Sequence, residues 1–319
     1  MTSLFYNTRS KVNVTILHDS TLTADNKRRF ERTANNMEQN VSFIDVSEHI
    51  FQIAEDPDRI TPYLSRGALF RLLIPDLMNV PKVIYLDCDI IVNLDIAELW
   101  NISLETQNAS LAVVKDQAFS NFSRKLHEKI RNWAMPYIPE NYFNSGVLIM
   151  NLNRIRANHP AFISEVFRFT KRYSLFTGFI DQDFLNVFFR DDVIFVDIRF
   201  NNLLEYHNID NAVLHFAIES SKPWKRLANT PRDHLFWKIL MESEWGEQFF
   251  EILADSFQNK SLVGHSSLDC VKVLLRRIPG HLRLHKCGDF FKDLKIIFKE
   301  LHWRLTQRNF VQSGQKEGE

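Results

Sequence analysis

Glycine is scarce in this chain, which has nine glycines among 319 residues. None of them belongs to a G-x-G-x-x-G or G-x-x-x-x-G-K pattern, in which backbone N–H groups cradle a phosphate. A glycine-rich nucleotide-binding loop is therefore excluded. If a nucleotide diphosphate binds, a metal ion and cationic side chains must neutralise it instead.

Cysteine and long apolar runs are also scarce. The three cysteines, Cys88, Cys270 and Cys287, lack the spacing of a metal site, which favours a reducing compartment. No run approaches the roughly 18 apolar residues that a membrane-spanning helix needs. The stretch from Met1 to Ser10 contains no apolar segment of the kind found in a signal peptide. We therefore expect a cytoplasmic protein.

The chain has no net charge, but its charges are unevenly distributed. Residues 261–319 contain 11 of the 39 basic side chains and only 6 of the 39 acidic ones, so the first 260 residues are slightly acidic. This asymmetry argues against nucleic acid as a partner of the body of the protein, and it makes the tail a candidate for contact with an anionic surface. We expect a catalytic domain over 1–230, a helical extension over 231–255, and a linker with a basic aromatic tail over 256–319.

Short apolar runs alternate with helical patterns along the first 230 residues. Strands are predicted at Val12 to Leu17, Val41 to Val46, Val83 to Leu86, Leu111 to Val114, Val147 to Met150, Val193 to Val196 and Val213 to Phe216. Helices are predicted near Ala24 to Met37, Ser65 to Leu77, Asn121 to Trp133, Ala161 to Tyr173 and Gln182 to Phe189. This alternation predicts an α/β fold with a mostly parallel, Rossmann-like sheet flanked by helices. A ligand is expected outside the carboxyl ends of the strands.

The most informative local motif is Asp87-Cys88-Asp89, which directly follows a buried strand. In extended backbone the two carboxylates point to the same side, where they repel each other unless a cation lies between them. Oxygen ligands of this kind suit Mg²⁺ or Mn²⁺. The alternative is a strand end with two solvated or capping aspartates.

A second candidate ligand, His215, ends another predicted strand and precedes Lys222-Pro-Trp224. A nitrogen ligand beside two carboxylates would favour Mn²⁺ over Mg²⁺. Lys222 could place a point charge over a phosphate. Taken alone, a histidine at a strand end is more often a packed or hydrogen-bonded residue.

Two further segments place polar groups beside predicted elements. Asn144, Ser145 and Gly146 precede a buried strand, and Gly146 would allow backbone to approach a ligand closely. Asp181 and Gln182 open a helix, where an acid is ordinarily explained by capping and the helix dipole. The functional interpretation places this carboxylate and amide beside the reacting atom of a substrate.

Together these motifs resemble glycosyltransferase family 8, and within it the bacterial lipopolysaccharide core glucosyltransferases and galactosyltransferases. The matching segments are Arg71-Leu-Leu-Ile-Pro, Tyr85-Leu-Asp87-Cys-Asp89, Phe143-Asn-Ser-Gly-Val-Leu, Asp181-Gln-Asp, and His215 with Lys222-Pro-Trp. The resemblance implies a GT-A fold, a UDP-glucose or UDP-galactose donor, Mn²⁺ or Mg²⁺, a saccharide acceptor that is lipid-linked, and retention of anomeric configuration.

The resemblance also implies a role for each matching residue. Asp87, Asp89 and His215 would bind the metal ion, and Lys222 the diphosphate. The donor sugar would be contacted by Arg71, Asp116, Asn144 and Asp181. Gln182 would lie beside the anomeric carbon, on the face opposite the leaving group. Because an amide is a poor nucleophile, we expect front-face attack, with Gln182 and Asp181 stabilising an oxocarbenium-like state.

The chain departs from the family pattern in two places. Its first residues, Thr2 to Thr8, resemble the end of the helix that should follow the first strand, so the first strand–helix unit is expected to be missing. Six residues without a glycine separate His215 from Lys222, whereas the family usually has five with one glycine. The first departure makes a catalytically impaired, glycosyltransferase-like protein the main alternative.

Two other interpretations concern the D-x-D motif and the tail. Haloacid-dehalogenase-type phosphohydrolases also carry a strand that ends in D-x-D, and Asp191-Asp192 could serve as their later acidic pair; Ile91, however, stands where a small residue or threonine is expected. The basic aromatic tail would suit peripheral contact with the inner face of the cytoplasmic membrane. The alternative for the tail is a helical appendage with a solvated basic face.

Overall fold

The structure is a computed structural model, and it describes residues 1–54, 66–117, 139, 141–173, 179–204, 208–217, 222–225, 230–249 and 251. The predicted helix from Asn121 to Trp133 and the predicted tail over 256–319 lie outside the described residues. None of the helices within the described ranges is long and apolar enough to cross a membrane.

All of the predicted strands are present, each within a few residues of its predicted bounds. The strands are β1 (Asn13–His18), β2 (Asn40–Asp45), β3 (Lys82–Leu86), β4 (Ile90–Asn93), β5 (Leu111–Lys115), β6 (Phe143–Asn151), β7 (Val193–Phe195) and β8 (Ala212–His215). The sequence did not predict β4 as a separate strand, because its apolar residues continue the run that begins with β3. Only Asp87, Cys88 and Asp89 separate β3 from β4.

The described α-helices are α1 (Thr2–Asn7), α2 (Ala24–Asn36), α3 (Ile74–Leu77), α4 (Ala97–Trp100), α5 (Leu152–Asn158), α6 (Phe162–Tyr173), α7 (Ile180–Phe188) and α8 (Pro231–Met241). At the start of α2 the side chain of Thr23 accepts a hydrogen bond from the backbone N–H of Asn26, a standard N-cap. The predicted helix from Ser65 to Leu77 is instead a 3₁₀ helix over Arg66–Leu73 followed by α3. Pro75 lies in the first turn of α3, where its missing N–H costs no helical hydrogen bond.

The α/β fold is confirmed, but strand pairing is mixed rather than mostly parallel. Among the described strands, β1 pairs with β2 in parallel, a four-stranded sheet has the order β3-β6-β5-β7, and β4 pairs with β8 antiparallel. Within the four-stranded sheet β6 is antiparallel to both of its neighbours, and only β5 and β7 are parallel. Alternation of strands and helices does not by itself fix strand direction: β6 enters the sheet between β3 and β5 and runs opposite to both.

The sheet is covered by apolar clusters on both faces. Every residue of β6 is buried, as expected for a central strand. All five residues of β3 are only half-buried. Among the described strands, β1 and β3 each have one paired edge, yet Leu17 and Tyr85 pack against one apolar cluster while Val14 and Ile84 pack against the other. The β1–β2 pair and the four-stranded sheet therefore contribute to the same two apolar clusters, although no strand hydrogen bonds join β1 to β3 among the described residues.

The segment that follows residue 230 packs against the sheet domain. Trp245 packs against Phe30 of α2 with ring centroids 4.8 Å apart and the ring planes tilted by 56°, and Arg29 forms an ion pair with Glu247 at 2.7 Å. At the start of α8, Arg232 is 1% exposed and donates hydrogen bonds to the carbonyl oxygens of Leu204 and His215. This arginine thus anchors the end of β8.

Candidate functional site

Three side chains that could bind a metal ion converge where β3 and β8 end. Asp87 and Asp89 follow β3, and His215 is the last residue of β8, in register with Ile90. One ligand atom from each residue lies within 4.8 Å of the others. The Nε2 atom of His215 is 3.5 Å from Asp87 Oδ2 and 3.1 Å from Asp89 Oδ1. The predicted oxygen, oxygen and nitrogen set is therefore present in space.

Lys222 reaches the same cluster although its spacing from His215 is unusual. Its Nζ lies 2.7 Å from Asp89 Oδ2. Burial by itself would raise the pKa of the Asp89 carboxyl, but the hydrogen bond and charge of His215, together with the charge of Lys222, outweigh burial and hold that pKa well below its ordinary value. The site therefore keeps Asp89 ionised and ready to bind a cation.

Arg71 links the metal-ligand cluster to the start of α7. Its guanidinium is 5% exposed and lies 2.8 Å from Asp87 Oδ1 and 3.2 Å from Asp181 Oδ2. The same group donates to the backbone oxygen and the hydroxyl of Ser145. Burial opposes the charged form of Arg71, but the Asp87 carboxylate, and then Tyr85 and Asp181, raise its pKa above the ordinary value. Arg71 is thus a permanent buried cation between two acids.

Asp116, Asn144 and Gln182 form a hydrogen-bonded group next to this cluster. Asp116 Oδ2 accepts hydrogen bonds from Asn144 Nδ2 at 3.4 Å and from Gln182 Nε2 at 3.2 Å. Gln182 Oε1 accepts the backbone N–H of Ser145 at 2.9 Å, which fixes the orientation of the amide. Asn144, Ser145 and Gly146, expected to precede the strand, lie within β6, and these contacts join the start of that strand to the start of α7.

Asp181 is the buried acid of this group. It is 2% exposed, and its Oδ1 atom has no hydrogen-bond partner among the described residues. Burial raises the pKa of the Asp181 carboxyl, an effect that the charge of Arg71 opposes. A buried carboxylate oxygen without a donor is costly, and a ligand hydroxyl could satisfy it.

Gly146 provides the space in which the metal-ligand side chains lie. A Cβ atom at this position would be 2.2 Å from His215 Cε1, 2.7 Å from His215 Nδ1 and 2.8 Å from Asp87 Oδ2. Its carbonyl oxygen also accepts the backbone N–H of Asp87 at 2.9 Å. The sequence predicted that Gly146 would let the backbone approach a bound molecule closely. In the structure the groups closest to Gly146 are instead the side chains of His215 and Asp87, which could coordinate the metal ion.

The structure thus brings every predicted site residue into one continuous network, and it adds residues that the sequence did not identify. Tyr85 donates its hydroxyl proton to Asp87 Oδ1 at 2.6 Å, and Ser145 joins Arg71, Asp181 and Gln182. Asn201, which contacts both His215 and Asn144, was also missed. Ser145 could have been suspected from its place between Asn144 and Gly146, but no local pattern distinguishes Asn201.

The second aspartate pair has a different environment. Asp192 accepts hydrogen bonds from Ser110 and Arg154, and Asp191 is exposed beside Arg190. Both residues therefore serve the local structure around β7, away from the D-x-D motif. The expectation that they could form a phosphohydrolase site has no support in this geometry.

Comparisons with known proteins identify several relatives. "General stress protein A" of Bacillus subtilis is 25% identical over 250 residues, covering 71% of this chain and 82% of the relative. "Lipopolysaccharide glucosyltransferase WaaO" of Escherichia coli is 29% identical over 201 residues, covering 55% of this chain and 54% of the relative. A Haemophilus influenzae relative is 30% identical over 200 residues, covering 62% of this chain and 57% of the relative. The chain thus spans little more than half the length of two of these relatives.

Solved structures show the same fold. A galactosyltransferase, LgtC, in complex with donor and acceptor sugar analogs has a TM-score of 0.56 at 20% identity, covering 73% of this chain and 96% of LgtC. The glycosyltransferase GlyE of Streptococcus pneumoniae has a TM-score of 0.54 at 18% identity, covering 78% of this chain and 58% of GlyE. The fold is therefore the GT-A fold that the resemblance implied.

A family model also matches this chain. The model for "Glycosyl transferase family 8" matches residues 1–228, well over half of the chain. The matched region contains every motif that suggested the resemblance. The chain belongs to glycosyltransferase family 8.

Proposed function

We propose that this protein is a metal-dependent, retaining hexosyltransferase that moves glucose or galactose from a UDP-sugar to a saccharide acceptor of the lipopolysaccharide core. The observation that carries the proposal is the cluster of Asp87, Asp89 and His215, whose ligand atoms lie within 4.8 Å of one another. Two carboxylates and a ring nitrogen at such distances form a donor set that can hold a divalent cation. The donor set fits Mn²⁺ first and Mg²⁺ second, because one ligand is nitrogen.

The bound ion would supply positive charge beside the oxygens of the departing UDP. Lys222 adds a second positive charge at that position, since its Nζ lies 2.7 Å from Asp89 Oδ2. With no glycine-rich loop to donate backbone hydrogen bonds, these side chains are the groups available to neutralise a diphosphate. Neutralisation of the diphosphate by a metal ion and a lysine agrees with the absence of a glycine-rich phosphate-binding pattern from the sequence.

The donor sugar is proposed to occupy the polar group beside the metal ligands. Asp181 Oδ1 would accept a hydrogen bond from a sugar hydroxyl, which supplies the donor that this buried atom lacks among the described residues. Arg71, Asp116 and Asn144 would orient further hydroxyls. Arg71 also keeps Asp181 in place through its 3.2 Å ion pair.

Retention is proposed to proceed by front-face attack. The Gln182 side chain accepts hydrogen bonds from the N–H and the hydroxyl of Ser145 and donates one to Asp116 Oδ2, so the amide is fixed. An amide is also only weakly nucleophilic. The Gln182 oxygen and the Asp181 carboxylate would stabilise positive charge on the sugar ring while the acceptor hydroxyl attacks from the side that UDP leaves.

The acceptor and the location are proposed from a relative and from the charge of the tail. We propose a lipid-linked saccharide acceptor, as the name of the WaaO relative suggests. We also propose that residues 1–230 form the catalytic domain, close to the 1–228 family match, and that 231–255 form a helical extension. The basic aromatic tail within 256–319 would hold the protein peripherally at the inner face of the cytoplasmic membrane.

The proposal is tested by calorimetric titration of UDP into the protein with and without Mn²⁺. We expect metal-dependent binding by the wild-type chain and no metal dependence for Asp89→Ala. Asp191→Ala is the matched control, because Asp191 is an exposed aspartate whose ion pair among the described residues is with its neighbour Arg190. Equal metal-dependent binding by wild type and Asp89→Ala would refute the metal site.

A second candidate is a glycosyltransferase-like protein with little or no turnover. It is favoured by the half-buried strand β3 and by the lack of hydrogen bonding between the β1–β2 ladder and β3 among the described strands. The carboxyl ends of both strands would border the nucleotide. A folded wild-type chain that binds Mn²⁺ but fails to bind UDP in the same titration would support this candidate over the first.

A further inference from the structure

Asn201 lies between the metal-ligand cluster and the donor-sugar group. It ends the short 3₁₀ helix Ile198–Asn201 and is completely buried. Its Oδ1 atom is 2.9 Å from His215 Nδ1, and its Nδ2 atom is 2.9 Å from Asn144 Oδ1. One side chain therefore contacts a residue from each half of the site.

The direction of these hydrogen bonds follows from a backbone group whose chemistry is unambiguous. The N–H of Gly146 donates to the Asn144 side chain at 2.9 Å, so the receiving atom must be the carbonyl oxygen Oδ1. An oxygen there accepts only from the NH₂ group of Asn201. The remaining amide atom of Asn201, which faces His215 Nδ1, must then be its oxygen.

This chain of donors and acceptors determines the state of the His215 ring. An amide oxygen is only an acceptor, so His215 Nδ1 must carry a proton. Nε2, which lies 3.1 Å from Asp89 Oδ1 and 3.5 Å from Asp87 Oδ2, is then the nitrogen through which the ring would bind a metal ion. A histidine that binds metal through one nitrogen usually donates from the other to such an acceptor.

We propose that Asn201 is a positioning residue that sets the Nδ1–H tautomer of His215 and couples the metal site to the donor-sugar group through Asn144. The coupling continues from Asn144 Nδ2 to Asp116 Oδ2, which also accepts from Gln182. The proposal rests on the proposed function in taking His215 as a metal ligand. The tautomer itself does not depend on that role.

Two backbone contacts hold Asn201 in this position. Gln117 Nε2 donates to the carbonyl oxygen of Asn201 at 3.1 Å. The next residue, Asn202, exchanges backbone hydrogen bonds with β8, donating to Val213 O at 2.8 Å and accepting from the N–H of His215 at 3.0 Å. The amide of Asn201 is thus fixed relative to the strand that carries His215.

Asn202 also provides a matched control. It is adjacent, of the same type and 2% exposed, but its side chain bonds to the backbone of Leu204 and Asn208 instead of the His215 ring. Asn202→Ala therefore removes a similarly buried amide and leaves the hydrogen bonds from Asn201 to His215 and Asn144 in place. Loss of local stability can be separated in this way from loss of ring orientation.

The test combines nitrogen NMR of the histidines with Mn²⁺ titration. The chain has 11 histidines, so the His215 signals are assigned by comparison with His215→Gln. We expect Nδ1 of His215 to carry a proton in wild type and in Asn202→Ala, both without metal and with diamagnetic Mg²⁺ bound. Asn201→Ala is expected to show both tautomers and to bind Mn²⁺ about 10–100-fold more weakly, the usual effect of losing such an outer partner.

Asn201→Asp separates the two arms of the proposal. A carboxylate still accepts from His215 Nδ1, so we expect the Nδ1–H tautomer and unchanged or tighter Mn²⁺ binding. It cannot donate to Asn144 Oδ1, so UDP-sugar binding should weaken relative to UDP binding. This variant also serves if Asn201→Ala does not fold.

Failure of the inference differs from failure of the proposed function. An Nε2–H tautomer in metal-free wild type, or wild-type tautomer and Mn²⁺ affinity in Asn201→Ala, would overturn the role of Asn201. A wild-type protein that shows the Nδ1–H tautomer but binds no Mn²⁺ would refute the metal site and leave the tautomer assignment confirmed.

Discussion

Replacement of Gly146 by alanine tests the geometry of the site most directly. The new Cβ atom would lie 2.2 Å from His215 Cε1, whereas ordinary contacts begin at 3.4 Å, so the ring or the backbone must move by about 1.2 Å. The His215 ring cannot swing away freely, as the end of a long flexible side chain could. His215 is held by Asn201 through its ring and by Arg232 through its carbonyl oxygen.

The expected cost has two parts. Overpacking a buried position typically costs about 1–3 kcal/mol of folding stability. A catalytic group displaced by about 1 Å can lose roughly a hundredfold in rate. We therefore expect Gly146→Ala to fold with a lower melting temperature, to bind Mn²⁺ at least about tenfold more weakly, and to transfer sugar at a small fraction of the wild-type rate.

The matched control is Gly246→Ala. A Cβ atom at Gly246 would lie 2.5 Å from the carbonyl oxygen of Met241, so this variant is also strained, but away from the site. Thermal unfolding and Mn²⁺ calorimetry of both variants should show lower stability in each and weakened metal binding in Gly146→Ala only. Wild-type Mn²⁺ affinity and transfer rate in Gly146→Ala would refute the placement of His215 and Asp87 against this glycine.

Two more substitutions test the remaining parts of the network. Arg71→Met leaves Asp87 and Asp181 without their shared buried cation, and we expect it to lower the free energy of unfolding by about 3–5 kcal/mol in denaturant titration, as breaking a buried ion pair does; a loss no larger than that of an exposed arginine would contradict the pairing. Gln182→Glu places a second carboxylate 3.2 Å from Asp116 Oδ2, so UDP-sugar binding and transfer rate should both fall. A glycosyl adduct trapped on Glu at position 182 by a variant with the wild-type rate, detected by intact-protein mass spectrometry, would instead indicate a covalent mechanism.

Several elements could be predicted from the sequence because their signals are local. Runs such as Val147 to Met150 are continuous and apolar, the pattern of a strand buried on both faces, and β6 is buried at every position. The D-x-D motif could be located from its residue types and its place after a strand, although Cys88 and Asp89 lie in the turn between β3 and β4 instead of the extended backbone that was expected. The N-cap at Thr23 could likewise be located from its residue type.

Other features could not be predicted because they depend on contacts between distant residues. Sequence alternation of strands and helices suggested parallel pairing, but the direction of β6 relative to β3 depends on a connection whose path no local pattern encodes. The position of Lys222 beside Asp89 joins residues 133 apart, and its unusual spacing from His215 did not prevent the contact.

The sequence by itself determined the α/β class, the potential metal ligands and the membership of a family, because each depends on residue type and order along the chain. Only the tertiary structure decided the mixed strand pairing, the burial of Arg71 between two acids, and the place of Asn201. The physical reason is that hydrogen-bond direction and desolvation depend on which groups meet in space. Asn201 acquires its role from His215, Asn144 and Gly146, and none of these lies near it in the sequence.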